Sequence, residues 1–296
     1  MKKLWLPILL SIMVCAALII FSSQNKSDTG ISAPNSPPEK IVSLAPNVTE
    51  ILYELGLGEK IVAVSNDSDY PSEAADIKKI GTFWQPNIEA IIAAKPDLVI
   101  TLWFAQQKSI ADTLEQLGYK VLVLRMEKFS ELPEAIQQIG TATATREKSE
   151  VLAGTIENKI NELKTKYRQA EKPKVLWVIQ EEPLRVAGRN TFLNELIEAS
   201  GGENAIGQTL QQYPSISTEQ ILCCGAEVII QSAMSKDNIE TQQKNAERFW
   251  NEYPNLPAVK NKRIYVLYSD EILRLGPRLP EGIEIIANCL YGDVPK

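Results

Sequence analysis

Short apolar runs alternate with helical segments from residue 40 to the C-terminus, and this alternation limits the fold more than any other feature. The apolar runs, rich in Val, Ile and Leu, are residues 41–46, 61–65, 95–101, 120–125, 174–179, 226–232 and 263–268. The helical segments, several of which stop at a glycine, are residues 47–56, 87–94, 109–118, 191–201, 218–224 and 280–290. Strands that alternate with helices indicate βαβ units and a largely parallel sheet. The predicted class is therefore α/β.

One helix–strand segment of the first half recurs in the second half, 130 residues later. In each copy two acidic residues stand eight positions apart: Glu89 and Asp97 in the first copy, Glu219 and Glu227 in the second. The order of strands around the two copies also matches. We therefore expect two lobes that arose by duplication of one plan.

A long helical segment separates the two halves. Residues 131–169 are predicted to be helical almost throughout, and at 1.5 Å per residue the stretch 146–169 would extend ~36 Å. Its apolar residues form one stripe: Leu152, Ile156, Ile160, Leu163 and Tyr167. We expect two Rossmann-like lobes with central, mostly parallel sheets, residues 40–130 and 173–296, bridged by one long helix within residues 131–172. Such a connector resists bending, so a cleft between the lobes should close only slightly around a ligand.

The N-terminus predicts export. Two lysines precede an apolar run over residues 4–21, so residues 1–23 read as a signal peptide or an uncleaved membrane anchor. The three residues before Cys15 make a poor lipobox, and we interpret this cysteine as an ordinary apolar residue. Residues 24–39 are rich in Ser, Pro and Asn and predict a flexible linker. The folded part should therefore lie outside the cytoplasm and close to the membrane.

The sequence contains no histidine, which excludes Ser-His and Cys-His dyads, imidazole zinc sites and an axial histidine for haem. With 31 basic and 37 acidic residues, the net charge of −6 also disfavours a nucleic-acid partner. Nucleophile-elbow, P-loop and C-x-x-C patterns are missing as well, so we predict no catalytic residues, no metal site and no bound cofactor. Cys289 either pairs with Cys223 or Cys224, or these cysteines are buried free thiols.

Aromatic side chains in loops are the strongest functional signal. Four of them follow predicted strands or precede predicted helices: Tyr70, Trp84, Trp103 and Tyr213. Ligands of open α/β sheets bind beyond the carboxyl ends of strands, so these loops are expected to line one rim. Trp177 within a strand and Trp250 near a helix end are expected to lie in the core.

The sequence resembles a known family in these loops and in several segments. The segments are IVSLAPNVTEILYELG, SDYP, NIEAIIAAKPDLVI, GGEN, Tyr-Pro before STEQIL, and SDEILRLGPRL. The sequence is similar to the class III substrate-binding proteins of ABC importers, and most closely to their cobalamin-binding members, over residues 40–292. The resemblance implies two lobes bridged by a helix, with a flat macrocycle held between them. It also implies five ligand-binding residues: Tyr70, Trp84 and Trp103 in the first lobe, and Tyr213 and Arg274 in the second.

The implied ligand suits these side chains. A corrin is a broad apolar disc edged by amides, which favours aromatic walls and a few donors, and its cobalt arrives already coordinated. We interpret Arg278 as a structural residue that ties the terminal helix to the sheet. Glu89 and Glu219 could simply complement helix dipoles, by ~0.3–1 kcal/mol. The resemblance implies instead that they dock onto arginines of a two-subunit permease.

Three positions depart from the cobalamin-binding pattern. The spacing from Trp84 to Glu89 is one residue shorter, and Tyr213 stands where the pattern has tryptophan. Ser200 occupies a position where a cysteine can pair with the equivalent of Cys289. The first two departures concern the ligand, and the third concerns only stability.

The sequence therefore predicts an exported receptor, not an enzyme, that delivers a corrinoid such as cobalamin to an ABC importer. The alternative within the class is a ferric siderophore or haem carrier, for which Arg274, with help from Arg185 or Arg189, would supply positive charge. A receptor for bare zinc or manganese ions is disfavoured because such sites depend on histidine. An extracytoplasmic α/β hydrolase would need a base other than histidine.

Overall fold

The computed structural model describes residues 36–168, 171–233 and 237–292. The predicted signal peptide or anchor (1–23), Cys15 and all but the last four residues of the predicted linker (24–39) lie outside the described residues. In the described part of the chain, no helix combines the length and the hydrophobicity that a membrane crossing requires.

The first lobe is built on a sheet of parallel strands. These strands are β1 (Ile41–Ser43), β2 (Ile61–Val64), β3 (Leu98–Leu102) and β4 (Val121–Leu124). They lie in the order β2–β1–β3–β4, and each neighbouring pair runs parallel. The helices of this lobe are α1 (Pro46–Glu54), α2 (Ile88–Ala93) and α3 (Ala105–Gln116), with 3-10 turns at Gly58–Lys60 and Ser72–Asp76. Its core includes Val42, Val99 and Leu114, all fully buried.

The connection between the lobes begins with a 3-10 turn (Phe129–Glu131) and continues as α4 (Leu132–Ala142) and the long helix α5 (Arg146–Lys166). The two helices are separated at Ala144, whose φ is 58°. Within α4, a Cβ on Gly140 would lie 1.9 Å from Ser149 Oγ on α5, so the close approach of the two helices requires glycine at position 140. Helix α5 ends at Lys166, three residues before the predicted end. Three of the five residues of the predicted stripe are buried: Ile156, Ile160 and Leu163. The other two, Leu152 and Tyr167, are half-buried, and the helix buries Ser149 and Ala153 as well.

The second lobe repeats the arrangement. Its strands are β5 (Lys174–Gln180), β6 (Arg185–Val186), β7 (Glu203–Asn204), β8 (Val228–Ser232) and β9 (Ile264–Leu267). The order is β6–β5–β8–β9, with β7 also paired to β5, and only the β5–β6 pair is antiparallel among the pairs described. The helices are α6 (Phe192–Ala199), α7 (Thr218–Cys224), α8 (Ile239–Trp250), α9 (Pro257–Lys260), α10 (Asp270–Leu273) and α11 (Leu279–Tyr291). Two lobes with mostly parallel sheets, joined by a long helix, confirm the predicted fold class. We retain 40–130, 131–172 and 173–296 as the proposed extents of the lobes and their connector.

The second acidic residue of each repeat, Asp97 or Glu227, accepts backbone hydrogen bonds at the start of a strand. Asp97 Oδ2 accepts hydrogen bonds from the N–H groups of Glu39 and Lys40, both at 2.9 Å, just before β1. Glu227 Oε2 accepts one from the N–H of Lys174, at 2.8 Å, at the start of β5. Each carboxylate thus fixes the beginning of the central strand of its sheet, which explains one half of the repeated pattern.

The cysteines of the folded part are free thiols, so the disulfide alternative is wrong. Cys289 is buried, and burial raises the pKa of its thiol to about 12, whereas Cys223 is exposed. Ser200 donates its hydroxyl to the carbonyls of Leu196 (2.8 Å) and Ile283 (2.9 Å). A polar link between α6 and α11 therefore occurs where the resembled family can have a cysteine.

Candidate functional site

The loop after β2 presents Tyr70 to the cleft between the lobes. Ser68, at the base of this loop, is fully buried and receives hydrogen bonds from Thr49 Oγ1 (3.1 Å) at its hydroxyl and from Lys79 Nζ (2.6 Å) at its carbonyl. Tyr70 itself is 43% exposed, and its peptide bond to Pro71 is cis. The loop is thus anchored from below while the tyrosine ring stays accessible.

Arg278 covers one face of Tyr70, with its guanidinium carbon 3.8 Å from the ring centroid. The same guanidinium makes two hydrogen bonds to Glu50 on α1, at 3.0 and 2.7 Å, and donates to Glu271 on α10. We expected Arg278 to tie the terminal helix to the sheet. Its partners lie instead on α1 and α10, so it joins the first lobe to the second.

Arg274, a predicted ligand-binding residue, also lies in the cleft between carboxylates. Its Nη1 is 3.1 Å from Asp69 Oδ1 and 3.8 Å from Glu50 Oε1, and its Nη2 is 3.0 Å from Asp270 Oδ1. The Arg274 side chain is only 14% exposed. We use the name ion-pair network for the set of charged residues that meet here: Glu50, Asp69, Asp270, Glu271, Arg274 and Arg278.

The environment shifts the pKa values of two carboxylates of the network, Glu50 and Glu271, in opposite directions. Burial raises the pKa of Glu50 above its usual value, although the guanidinium groups of Arg278 and Arg274 oppose the shift. Burial also acts to raise the pKa of Glu271, but hydrogen bonds from Ser269 and from the backbone, together with both arginines, hold it below the usual value. Four carboxylates and two guanidinium groups leave the ionised network with a charge of 2 − 4 = −2.

A cavity of about 210 Å³ opens beside this network. Its walls come from both lobes: Asp69, Tyr70, Tyr268, Ser269, Asp270, Glu271 and Arg278. A larger cavity, of about 580 Å³, lies along α5 and the Phe129 turn, and none of the predicted ligand residues line it. Since the predicted ligand residue Tyr70 lines the smaller cavity, that cavity and not the larger one is the candidate site.

An exposed aromatic cluster forms another part of the rim. It consists of Phe83, Trp84 and Phe104, whose rings meet edge to face with centroids 4.9 to 5.9 Å apart. Trp84 is 59% exposed. An apolar ring of this size in contact with solvent is a typical feature of a binding surface.

The loop that carries this cluster is fixed to the end of β3. Buried Gln107 accepts a hydrogen bond from Thr101 Oγ1 (2.6 Å) and donates to the carbonyl of Phe83. Gly81 has a φ of 100°, and a Cβ there would lie 2.5 Å from the carbonyl oxygen of Gln85. The loop is therefore tight, so the position of Trp84 is set by the backbone around it.

Trp103, at the end of β3, is 39% exposed and carries two cations on its ring. The Arg125 guanidinium carbon lies 4.9 Å from the ring centroid and Lys108 Nζ lies 5.9 Å from it. Lys108 is also 2.9 Å from Asp112. Arg125 directly follows β4, so parallel neighbouring strands bring these side chains together.

Tyr213 of the second lobe is half-buried, and its carbonyl accepts hydrogen bonds from Arg185 at 3.3 and 3.2 Å. Burial raises the pKa of its phenol, and the negative charge of Glu127 adds to the shift. The charge of Glu127 in the first lobe therefore acts on Tyr213 in the second. Arg189 is bound elsewhere, to Glu203 at 3.1 Å.

The structure places four of the predicted ligand residues in two groups. Tyr70 and Arg274 lie at the ion-pair network, whereas Trp84 and Trp103 lie near the carboxyl end of β3. That these groups and Tyr213 line one ligand-binding cleft stays a prediction. Two other tryptophans are fully buried, as predicted: Trp177 and Trp250. Sequence reasoning did not identify Glu50, Asp69 or Arg125 as site residues.

Glu89 and Glu219 occupy equivalent positions in the two lobes. Each is exposed in the first turn of its helix, directly after a capped start in which Asn87 or Ser217 accepts a backbone hydrogen bond. A hydrogen bond from Ser217 lowers the pKa of Glu219. Their role in docking stays a prediction.

Within the described ranges, no group of three or more Cys, Asp or Glu side chains is arranged to hold a metal ion. The charged residues of the ion-pair network are engaged with one another. The site can therefore offer aromatic faces, hydrogen-bond donors and local charge to a ligand, and it offers no cluster of metal ligands.

A family model described as periplasmic binding protein matches residues 41–271 of this chain. The vitamin B12-binding protein of Vibrio parahaemolyticus is 33% identical over 91% of this chain and 94% of its own length. An uncharacterised ABC transporter substrate-binding lipoprotein of Bacillus subtilis, YvrC, is 32% identical over 88% of this chain and 82% of its own length.

Solved structures with the same fold include proteins that are described as binding different ligands. The periplasmic vitamin B12-binding protein BtuF of Vibrio cholerae superposes with a TM-score of 0.74 at 29% identity, over 86% of this chain and 97% of that one. A possible iron-binding periplasmic solute-binding protein of Staphylococcus epidermidis gives a TM-score of 0.75 at 27% identity, over 86% of this chain and all of the other.

Proposed function

This chain belongs to the periplasmic binding protein family and is a substrate-binding protein of an ABC importer, and from that premise we propose that its substrate is a corrinoid, with cobalamin the best candidate. The corrinoid is held in the cleft between the lobes and delivered to the permease. Trp84, Trp103 and Tyr70 contact it from the first lobe, and Tyr213 contacts it from the second. The protein works outside the cytoplasm, and the N-terminal segment directs it there.

The observation that carries this proposal is the pair of exposed tryptophans at the carboxyl edge of the first sheet. Trp84 and Trp103 are 59% and 39% exposed on loops held by the fold, so a ligand can reach the exposed part of each ring without any rearrangement of the core. Broad aromatic faces suit the apolar disc of a corrin. Arg274 is held by three carboxylates, so in this proposal it orders the Tyr70 loop and does not donate to the ligand.

A ferric siderophore or haem is the second candidate, supported by the likeness to a possible iron-binding protein. Most such chelates carry several negative charges. The arginines that the sequence offered for them are already engaged: Arg274 with carboxylates, Arg185 with a carbonyl and Arg189 with Glu203. The electrostatics of the cleft therefore favour the corrinoid.

The test is a titration of the purified protein with cyanocobalamin, hemin and a ferric catecholate siderophore, followed by calorimetry and tryptophan fluorescence. We expect saturable binding of cyanocobalamin at micromolar concentration or below, with quenching that the Trp84→Ala, Trp103→Ala variant largely loses. Binding of hemin or the siderophore without any binding of cyanocobalamin would reverse the choice of ligand.

We also propose that Glu89 and Glu219 dock the loaded protein onto a permease dimer. Equivalent exposed carboxylates on two pseudo-symmetric lobes suit a partner with two similar subunits. The double variant Glu89→Ala, Glu219→Ala should abolish uptake of cobalamin through the cognate importer while its affinity for cobalamin is unchanged. The matched control is Glu54→Ala, Glu252→Ala, which removes two exposed carboxylates elsewhere. Unchanged uptake by the Glu89, Glu219 variant would refute the docking role.

A further inference from the structure

We propose that Arg125 binds an anionic group of the ligand, and that in cobalamin this group is the phosphodiester of the nucleotide loop. The inference rests on the proposed corrinoid function and specifies how the ligand is oriented. It concerns a residue that neither the sequence pattern nor the family resemblance identified.

The first observation concerns the groups that contact each arginine near the predicted ligand residues. Arg274 and Arg278 are 14% exposed and enclosed by carboxylates, and Arg185 donates to a backbone carbonyl. Arg125 is exposed, and its contact is the face of Trp103 at 4.9 Å. Among residues 36–168, 171–233 and 237–292, no carboxylate lies within ion-pair distance of Arg125. It is therefore a guanidinium at the proposed binding surface whose charge is not neutralised by the described residues.

The second observation is that the guanidinium of Arg125 lies over the Trp103 ring. A guanidinium is planar, and its five N–H groups point outward in that plane. Contact with the Trp103 ring can use the flat face of the guanidinium and leave the N–H groups at its edge free. A stacked arginine also loses less side-chain freedom when a ligand arrives, so it is prepared for a paired hydrogen bond to phosphate oxygens.

The third observation is the charge difference between the ion-pair network and the surroundings of Trp103. The ion-pair network carries −2, whereas Arg125 and Lys108 lie at Trp103, where Asp112 and Glu127 offset them to a sum of 2 − 2 = 0. Trp103 is thus the less negative of the two places, and Arg125 is its cation without an ion-pair partner among the described residues. An anionic group on an otherwise amide-edged disc would be repelled from the network and attracted to Arg125. Cobalamin carries one such group, the phosphodiester, and cobinamide lacks it. The charge pattern therefore orients the nucleotide loop toward Trp103.

The experiment compares two ligands and three variants of the full protein by calorimetry. The ligands are cyanocobalamin and dicyanocobinamide, which differ in the nucleotide loop. Arg125→Gln removes the charge, Arg125→Lys keeps it without the planar fork, and Lys120→Gln is the control. Lys120 is exposed and precedes β4, whereas Arg125 follows it, so the control removes one positive charge at the opposite edge of the sheet.

We expect Arg125→Gln to bind cyanocobalamin about tenfold more weakly, as the loss of a charge-assisted hydrogen bond implies, and to bind dicyanocobinamide as the wild type does. Arg125→Lys should recover part of the loss, and Lys120→Gln should match the wild type. The preference of the wild type for cyanocobalamin should also shrink as salt is raised, whereas Arg125→Gln should show no such dependence.

Two results would overturn the inference and leave the corrinoid function intact. If Arg125→Gln weakens both ligands equally, the arginine acts by supporting Trp103 and does not bind the phosphodiester. If it weakens neither, Arg125 does not reach the ligand. Failure of the wild type to bind either corrinoid is a different result, and it would refute the proposed function together with this inference.

Discussion

Two arginines each lie over an aromatic ring, and the two pairs differ in what surrounds the guanidinium. Arg278 lies 3.8 Å from the Tyr70 centroid, and its N–H groups are occupied by Glu50 and Glu271. Arg125 lies 4.9 Å from the Trp103 centroid, and it is exposed. An arginine over an aromatic ring thus joins the lobes in the first pair, whereas in the second pair we propose that it binds a ligand.

The difference follows from burial. Glu50 is 3% exposed, so its charge needs the two hydrogen bonds from Arg278, and the arginine is committed to satisfying it. Trp103 is 39% exposed, and the Arg125 guanidinium over its ring forms no ion pair with a buried carboxylate of the described residues. Substitutions at the first pair should therefore change the free energy of unfolding, whereas substitutions at the second should change ligand affinity.

The largest expected effect is that of Glu50→Ala on stability. This change leaves Arg278 largely buried without its main partner, and breaking a buried ion pair in this way costs about 3–5 kcal/mol. Urea unfolding followed by circular dichroism measures the loss. Glu54→Ala, one turn further along α1 and exposed, should change the free energy of unfolding by less than about 0.5 kcal/mol. Equal effects of the two variants would show that the network does not stabilise the fold.

In contrast, Trp84→Ala combined with Trp103→Ala should weaken cyanocobalamin binding about a hundredfold, since each exposed anchor contributes about tenfold. Their exposure means that unfolding should be little affected. Trp177→Phe is the matched control: this tryptophan is fully buried and donates to Ser232 Oγ at 3.1 Å, so its loss should cost about 1–3 kcal/mol of stability without changing affinity. A double variant that unfolds readily but binds normally would contradict the assignment.

The fold was predictable because its signals are local. Apolar runs, helix caps and the repeated acids identified most strands and helices, and α7 occurs at the predicted residues, Thr218–Cys224. Helix α8 (Ile239–Trp250) was anticipated only at its end near Trp250, and its bounds were not predicted because its sequence is largely polar and has few apolar repeats. The two-residue strands β6 and β7 were missed because pairing with β5, not their own sequence, defines them.

The site was predictable only in part, because the role of a charged residue depends on distant partners. Glu50 sits among buried residues of α1, which is a signal of a buried charge that sequence reasoning could have used. Its partner Arg278 is 228 positions away, and no local pattern connects them. The sequence placed Arg125 at the end of a predicted strand. Its proposed role in ligand binding depends on its contact with Trp103, which follows the neighbouring strand.

Glu271 should make a smaller contribution to the free energy of unfolding, and this contribution should depend on pH. Its pKa lies below the usual value in the folded protein, so it contributes stability above pH ~4.5 that is lost as pH falls through the folded pKa. With 24% of its side chain exposed, the contribution should be about 0.5–1 kcal/mol. The difference in unfolding free energy between wild type and Glu271→Gln should therefore be largest near pH 6 and shrink on acidification. Glu252→Gln, at an exposed site, serves as the control, and a difference that grew at low pH would reverse the sign of the contribution.

The smallest expected effects come from two exposed aspartates, one at the ion-pair network and one beside Lys108. Asp69 pairs with Arg274 at 3.1 Å and is 45% exposed, and Asp112 pairs with Lys108 at 2.9 Å and is 51% exposed. Each exposed pair is worth at most about 1 kcal/mol, so neither Asp→Asn change should alter unfolding much.

Their effects on ligand affinity should nevertheless differ. Asp112→Asn frees the positive charge of Lys108 beside Trp103, so cyanocobalamin should bind about twofold more tightly at low salt, and the gain should vanish at high salt. Asp69→Asn leaves Arg274 paired with Asp270 and Glu50, so affinity should not change. Calorimetry at two salt concentrations measures both. Tighter binding by Asp69→Asn alone would mean that Arg274 is the donor to the ligand's anionic group and that the roles of the ion-pair network and of the Trp103 surroundings are reversed.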